Sequence, residues 1–232
     1  DNITGEKTTL GGGGSTGNLP TTAAPTPPAR LASDVISIFS DAYASISVDT
    51  FDVPWCAATT TEVDIDSNPT KKVTGLGCEG IDWQGARTID ASDMTYFHID
   101  IWTDSDTADK SFNMKFSNWA GGAGEANAIE FSTTNASNPA LPNPNPGTWI
   151  SLDIPLSDWG IVTNGDISDI VQFVITSDLG IVYYDNLYLH KNTTLSTNDF
   201  AANQFSAFPN PTSGNWNIKS SNTNIQNIEI FN

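Results

Sequence analysis

Charge is scarce in this sequence and one-sided. Only 16% of its 232 residues are Asp, Glu, Lys or Arg, against roughly 25% in an ordinary soluble domain, so neutral polar residues must carry its solubility, as on a secreted surface. Basic residues are scarcest: 9 Lys and Arg stand against 27 Asp and Glu, a formal net charge of −18. That field repels phosphate backbones and anionic headgroups, which argues against nucleic acid or a lipid surface as partner. No apolar run approaches the roughly 20 residues of a membrane-spanning helix. No signal peptide opens the chain at Asp1, and the expectation is a soluble segment whose natural start lies further upstream.

The sequence is also poor in catalytic signatures. Its two histidines, His98 and His190, sit outside any His-Glu-x-x-His pattern, and no Gly-x-Ser-x-Gly, phosphate loop or dinucleotide fingerprint occurs. Carboxylate pairs that cleave glycosides must flank one bond. Acids are plentiful here, but no segment sets two of them across a cleft. Glu62, Asp64 and Asp66 alternate with Val63 and Ile65, the pattern of a solvated strand face. An enzyme is not expected.

Cysteine occurs only as Cys56 and Cys78, 22 residues apart. With no metal ligands nearby and no Cys-x-x-Cys, a disulfide is the economical reading and implies an oxidising compartment. Closing a loop of that length contributes on the order of 3 kcal/mol.

Composition divides the chain. Residues 8–33 carry Gly, Pro, Thr and Ala with few large apolar side chains, and read as a long flexible linker. Residues 1–7 then read as the end of a preceding module, since Asp1-Asn2-Ile3-Thr4 echoes Asp185-Asn186-Leu187-Tyr188. Residues 34–192 read as one all-β module, a β-sandwich or jelly roll, with strands at 35–39, 62–65, 72–75, 80–84, 96–103, 111–117, 128–131, 148–154, 170–176 and 181–189. Residues 193–204 form a second linker, and 205–232 a separate segment.

Alternation assigns faces. In TYFHIDIWT, Phe97, Ile99 and Ile101 fall inward, and Tyr96, His98, Asp100 and Trp102 outward. Phe112, Met114 and Phe116 are inward, with Asn113 and Lys115 outward; Ile150, Leu152 and Ile154 are inward, with Trp149, Ser151 and Asp153 outward. Together these predict one polar and aromatic sheet face that fits a sugar. Seven tryptophans are a rich supply of flat apolar rings for sugar C–H faces. Trp83 and Trp159 read as core, Trp149 and Trp102 as either core or contact. Trp55 in VPWC and Trp119 in SNWAGGAGE are loop-borne and read as carbohydrate contacts or as rings folded over a sheet edge.

Two resemblances follow. Phe208-Pro209-Asn210-Pro211-Thr212-Ser213-Gly214, with Trp216 to Ile218 and Ile228-Glu229-Ile230-Phe231-Asn232, resembles the start of the C-terminal sorting domain of the bacterial type IX secretion system. It implies the secretion machinery as a partner and a sorting domain present only in part. Asp34 to Tyr43, Val48-Asp49-Thr50, Thr74-Gly75-Leu76, Phe97 to Thr103, Trp149 to Trp159 and Val182 to His190 resemble the β-jelly-roll carbohydrate-binding modules of secreted bacterial polysaccharide-degrading enzymes, of the kind found beside family 16 glycoside hydrolases such as laminarinases. That resemblance implies an extracellular, non-catalytic module that holds an attached catalytic domain near a polysaccharide, a β-1,3-glucan such as laminarin first and alginate second. The candidate binding residues, read from strand faces and loop positions, are Trp55, Trp102, Trp119, Tyr96, His98, Asp100 and Lys115, with a structural histidine the competing reading of His98. Asp41 and Asp185 resemble a pair that holds structural Ca²⁺ in related modules; a carboxylate capping a β-bulge is the competing reading of Asp185.

Overall fold

The computed structural model describes residues 19–84, 88–119, 124–133 and 147–195, and the backbone of 205–208 and 217–220. The chain forms two compact units, Asp1–Thr193 and Thr194–Asn232. In the second, β10 (Phe205–Phe208) pairs antiparallel with β11 (Asn217–Ser220). The other sorting-domain positions and residues 1–18 lie outside the described residues.

The first unit holds β1 (Val35–Phe39), β2 (Thr59–Ile65), β3 (Asn68–Asp82), β4 (Tyr96–Trp102), β5 (Phe112–Asn118), β6 (Asn127–Phe131), β7 (Trp149–Pro155), β8 (Gly160–Thr163) and β9 (Gln172–His190). The class is all-β, as read from the sequence. Two strands are longer than expected. The segments at 72–75 and 80–84 are one 15-residue strand, and those at 170–176 and 181–189 one 19-residue strand. Glycines explain it: β3 and β9 pair antiparallel from Lys71 and Tyr184 to Asp82 and Gln172, with irregular register between Thr74 and Cys78, opposite Gly180. Gly75 (φ 70°) and Gly180 (φ 80°) take the left-handed conformation that bends a strand without ending it.

The bend folds one continuous sheet into two layers. Residues 183–190 of β9 pair with β4, which pairs with β7; β1 pairs with residues 187–190 of β9. Residues 172–177 of β9 pair with β5, followed by β6 and β8. Between the layers lie the residues that alternation placed inward. Phe97 of β4 meets Phe116 of β5 at 5.6 Å and Phe173 of β9 at 5.4 Å between ring centroids. Trp83 and Trp159 are core residues, and the Trp83 indole N–H donates to the Ile170 carbonyl at 3.0 Å. Burying one such ring contributes about 1.5–3 kcal/mol, so the inner faces hold the layers together and leave two outer faces to carry function.

Candidate functional site

The two outer faces differ, and the single polar and aromatic face expected above is divided between them. On the β3–β9–β5 layer, register stacks outward residues in rows. Asp82, Gln172 and Ser117 form one row; Gly80, Val174, Lys115 and Glu130 the next; Cys78, Thr176 and Asn113 a third. A groove of about 420 Å³ lies over the first two rows, lined by Trp55, Asp82, Gln84, Lys115, Trp119, Gln172 and Val174. That size falls within the range of small-molecule sites.

Trp55 and Trp119 wall the groove. Trp55 is 54% exposed and Trp119 40%, costly positions for indoles with no ligand to meet. Gln172 holds the floor: its amide Nε2 donates to Asp82 at 2.7 Å, while its Oε1 accepts from the Trp119 indole N–H at 3.0 Å and from Ser117 at 3.1 Å. Trp119 therefore spends its one donor internally and offers only its ring. Lys115 reaches Glu125 at 2.7 Å, and Glu125 also accepts from Thr163 at 2.7 Å. Burial alone would raise the Glu125 carboxyl, but Lys115 and Thr163 outweigh it and hold it below the ordinary range.

Cys56 and Cys78 form the expected disulfide, with their Cα atoms 5.1 Å apart. Its place is now clear: it ties the loop residue after Trp55 to the rim of β3.

Four residues assigned to sugar contact lie on the opposite face, and there the assignment is corrected. Trp102 is 4% exposed and packs edge-on against Tyr183 at 5.5 Å. Asp100 is buried, accepting from Asn186 Nδ2 at 2.8 Å and from the Ser151 hydroxyl. His98 stacks on Tyr188 at 4.7 Å and lies 3.3 Å from Asp153, which also meets His190 at 2.8 Å. Tyr96, partly buried, stacks on His190 at 5.3 Å. Burial opposes charge on His98, yet Asp100 and Asp153 outweigh it and lift its pKa to about 9. His98 and Asp100 are satisfied by partners within the chain, and Trp102 and Tyr96 are packed against neighbouring rings.

Part of the presumed linker contributes to that cover. Thr22 accepts from the Trp149 indole N–H at 2.9 Å, Pro25 from Asn186 Nδ2 at 2.9 Å, and Pro28 from the Tyr43 hydroxyl at 2.5 Å. Ala24 is buried, and Arg30 donates to the Thr193 carbonyl. A proline-rich stretch lacks many backbone donors, so it can lie on a surface without a ladder while its carbonyls accept from side chains. From Thr22 onward the segment is a strap rather than a free linker.

At the β-bulge of β9, Asn186 takes φ 53° and its N–H donates to Asp185 Oδ1 at 2.6 Å. Asp185 is fully buried, and its Oδ2 has no hydrogen-bond partner; the buried Asn68 Oδ1 has none either. Asn68 donates its amide N–H to Asp41 at 3.1 Å. Burial pushes the Asp185 carboxyl up to about 7, with Asp41 and Asp100 adding repulsion. Oδ1 thus caps the bulge, and Oδ2 is left unpartnered. Among the described residues no group of three or more His, Cys, Asp and Glu is arranged to hold a metal ion.

Asp82, Gln84, Gln172 and Val174 were not singled out from the sequence. Gln172, Val174 and Thr176 do alternate with the inward Phe173 and Ile175, but only the register brings them beside Asp82 and Lys115.

No protein-family model matches the chain, and no curated protein does. Solved structures similar to it include the family 30 carbohydrate-binding module of the cellulosomal cellulase Cel9D-Cel44B of Clostridium thermocellum, at 17% identity and TM-score 0.48, covering 69% of this chain and 99% of that one. The family 11 module of Clostridium thermocellum in complex with a β-1,3-1,4-mixed-linked tetrasaccharide is similar at 15% identity and TM-score 0.45, covering 68% and 94%. The C-terminal family 6 module of LamC, a marine laminarinase of Zobellia galactanivorans, is similar at 12% identity and TM-score 0.33, covering 63% and 97%. At these identities the likeness is one of fold alone.

Proposed function

We propose that this chain binds a neutral polysaccharide in the Trp55–Trp119 groove without cleaving it, and so keeps an attached secreted catalytic domain at its substrate. The observation that carries this reading is the pair of exposed indoles over a floor of Asp82, Gln84 and Gln172. Indole faces take sugar C–H faces, and the polar floor takes hydroxyls. Charge selects the ligand class. Lys115, the only lysine lining the groove among the described residues, is neutralised by Glu125, and the chain's net charge of −18 repels uronates and sulfate esters. A β-1,3-glucan such as laminarin therefore fits better than alginate. Among the described residues Asp82 is the only carboxylate lining the groove and is held by Gln172, whereas glycoside hydrolysis needs two facing acids. Tethering raises local substrate concentration without new chemistry. The disulfide fits an extracellular setting, and the resemblance of 205–232 to a sorting domain supplies the route there.

Affinity electrophoresis through gels containing laminarin, mixed-linkage glucan or alginate tests this. Retardation by a neutral glucan, abolished in Trp55→Ala/Trp119→Ala, is the expected result. Free migration in every gel would leave a spacer, and release of reducing ends from any glycan would make the chain an enzyme.

A structural Ca²⁺ is part of the same reading. The residues that would hold it are Asp185 and Asn68, through their buried unpartnered oxygens, and Asp41. Hard oxygens of this kind suit calcium, which would neutralise the buried carboxylate and stiffen the bulge.

A further inference from the structure

We propose that the Cys56–Cys78 bridge and Gly80 together form the positioning device for Trp55, so that one wall of the groove stands only while the bridge is closed. The proposal concerns how the wall is built; its affinity arm rests on the glycan-binding reading, and its spectroscopic arm does not.

The loop carrying Trp55 is anchored at one end by backbone bonds to β3. Asp49 N–H donates to the Asp82 carbonyl at 2.8 Å, and Asp82 N–H returns one to Thr50 at 3.0 Å. Val53 is buried, and the Cys56 N–H donates to its carbonyl at 3.2 Å, closing a turn around Trp55. Beyond that turn the bridge to Cys78 is the covalent hold on the loop. Two residues along β3, Gly80 supplies the seat. A Cβ there would lie 2.7 Å from Trp55 Cη2, 2.8 Å from Cζ2 and 2.5 Å from Val53 Cγ2, so the indole rests in space that any side chain would fill. The row continues from Gly80 to Val174 and Lys115, both lining the groove. Bridge and seat thus act on the same ring from neighbouring positions of one strand. A half-exposed indole with neither would rotate freely, and an unorganised ring contributes less to binding because its ordering must be supplied by the ligand.

Laminarin affinity is compared by calorimetry for the intact protein, Cys56→Ala/Cys78→Ala, Trp55→Ala and the triple variant. Bridge removal lowers affinity about tenfold, the loss of one stacked indole. In the Trp55→Ala background it changes affinity less than about twofold, because the bridge acts through that ring. No loss in the first case, or equal loss in both backgrounds, overturns the proposal. Fluorine NMR of the protein labelled with 5-fluorotryptophan reads the ring without ligand, the Trp55 resonance being assigned by its absence in Trp55→Phe. A small dithiol reduces the bridge, passing two electrons and two protons to give two thiols and its own cyclic disulfide. The Trp55 resonance then moves toward the position of free tryptophan; a resonance that stays in place overturns the proposal whether or not any glycan binds. Should the intact protein bind neither laminarin nor mixed-linkage glucan, the functional reading falls while the fluorine result still decides this one. Gly80→Ala keeps the bridge and evicts the ring, so it must reproduce the shift and the affinity loss; an unchanged resonance there counts equally against the seat.

Discussion

Glu79 lies in β3 between Cys78 and Gly80, but its side chain points into the sandwich rather than toward the groove. Its Oε1 accepts from Thr60 at 2.9 Å and from Tyr184 at 3.0 Å; Oε2 is buried without a partner. Burial is the main reason its pKa rises from 4.5 to about 7, against the partial relief of the Thr60 and Tyr184 hydrogen bonds. The folded protein therefore keeps this proton over a range where the unfolded chain has released it, and stability falls as pH rises from 4.5 through 7. The span corresponds to about 3 kcal/mol, a large share of the roughly 5–15 kcal/mol that holds a domain folded. His98 extends the fall: its folded pKa of about 9 exceeds the ordinary 6.5, so its contribution is complete below 6.5 and lost through 9. Asp153 works the other way at the acid end, because burial, which would raise it, is outweighed by His190 and His98, and stability is lost as pH falls below its ordinary 3.8. The perturbation is Glu79→Gln, neutral at every pH, followed by urea unfolding at intervals from pH 4 to 9. The variant should match the parent near pH 5, lose the decline between 4.5 and 7, and be more stable by about 3 kcal/mol at pH 8, while keeping the His98 decline above 6.5. An unaltered slope between 4.5 and 7 would show that Glu79 ionises normally and refute the argument.

Trp55→Ala and Trp119→Ala should each weaken laminarin binding about tenfold, since a half-exposed indole offers roughly 100 Å² and one sugar face covers about half of it, worth ~1.3 kcal/mol at 25 cal/mol/Å²; an unchanged calorimetric Kd for either would count against stacking. Adding Ca²⁺ should raise the melting temperature and EDTA lower it, with Asp185→Asn and Asn68→Ala losing the response; a melting point indifferent to both reagents would leave Asp185 as a bulge cap alone. Asn186→Ala removes the donor shared by Asp100 and Pro25 and puts alanine at φ 53°, a left-handed conformation that asparagine tolerates better, so it should cost about 1–3 kcal/mol and speed tryptic cleavage after Arg30. Cleavage no faster than in the parent would mean the strap does not depend on that contact.

Inside versus outside was legible in the sequence, because alternation depends on nothing but the geometry of one strand. Phe97, Ile99 and Ile101, Phe112, Met114 and Phe116, and Ile150, Leu152 and Ile154 all face the interior. Two long strands were read as four because Gly75 and Gly180 look like terminators along the chain, while in space they are opposite each other at one bend. Trp55, Trp119 and Lys115 meet in one groove as candidates. Gln172 was missed because its partners Asp82 and Trp119 are 90 and 53 residues away, and no local pattern marks such a meeting.

Trp102, Tyr96, His98 and Asp100 show why an aromatic and polar strand face does not by itself make a ligand site. They have the composition of the groove, rings beside hydrogen-bonding groups, yet His98 and Asp100 have their partners within the chain. The donors around them are used as well, since Trp149 and Asn186 give theirs to Thr22 and Pro25. Sugars compete for donors that are otherwise hydrated, and a donor already bonded to a proline-rich strap of the same chain has no hydration to exchange. Across the sandwich, Gly80 leaves a gap in the row that the Trp55 indole and Val53 of the neighbouring loop enter, and Gln172 turns Trp119 ring-outward by taking its N–H. The open face is thus distinguished less by which residues it carries than by how they are spent: hydrogen bonds run along its floor, and ring surface is left over. On that account the strapped face should stay silent toward glycans even while the groove binds, so substitution of Tyr96 by Phe should leave laminarin affinity unchanged, and a loss confined to binding would move the site to the other layer.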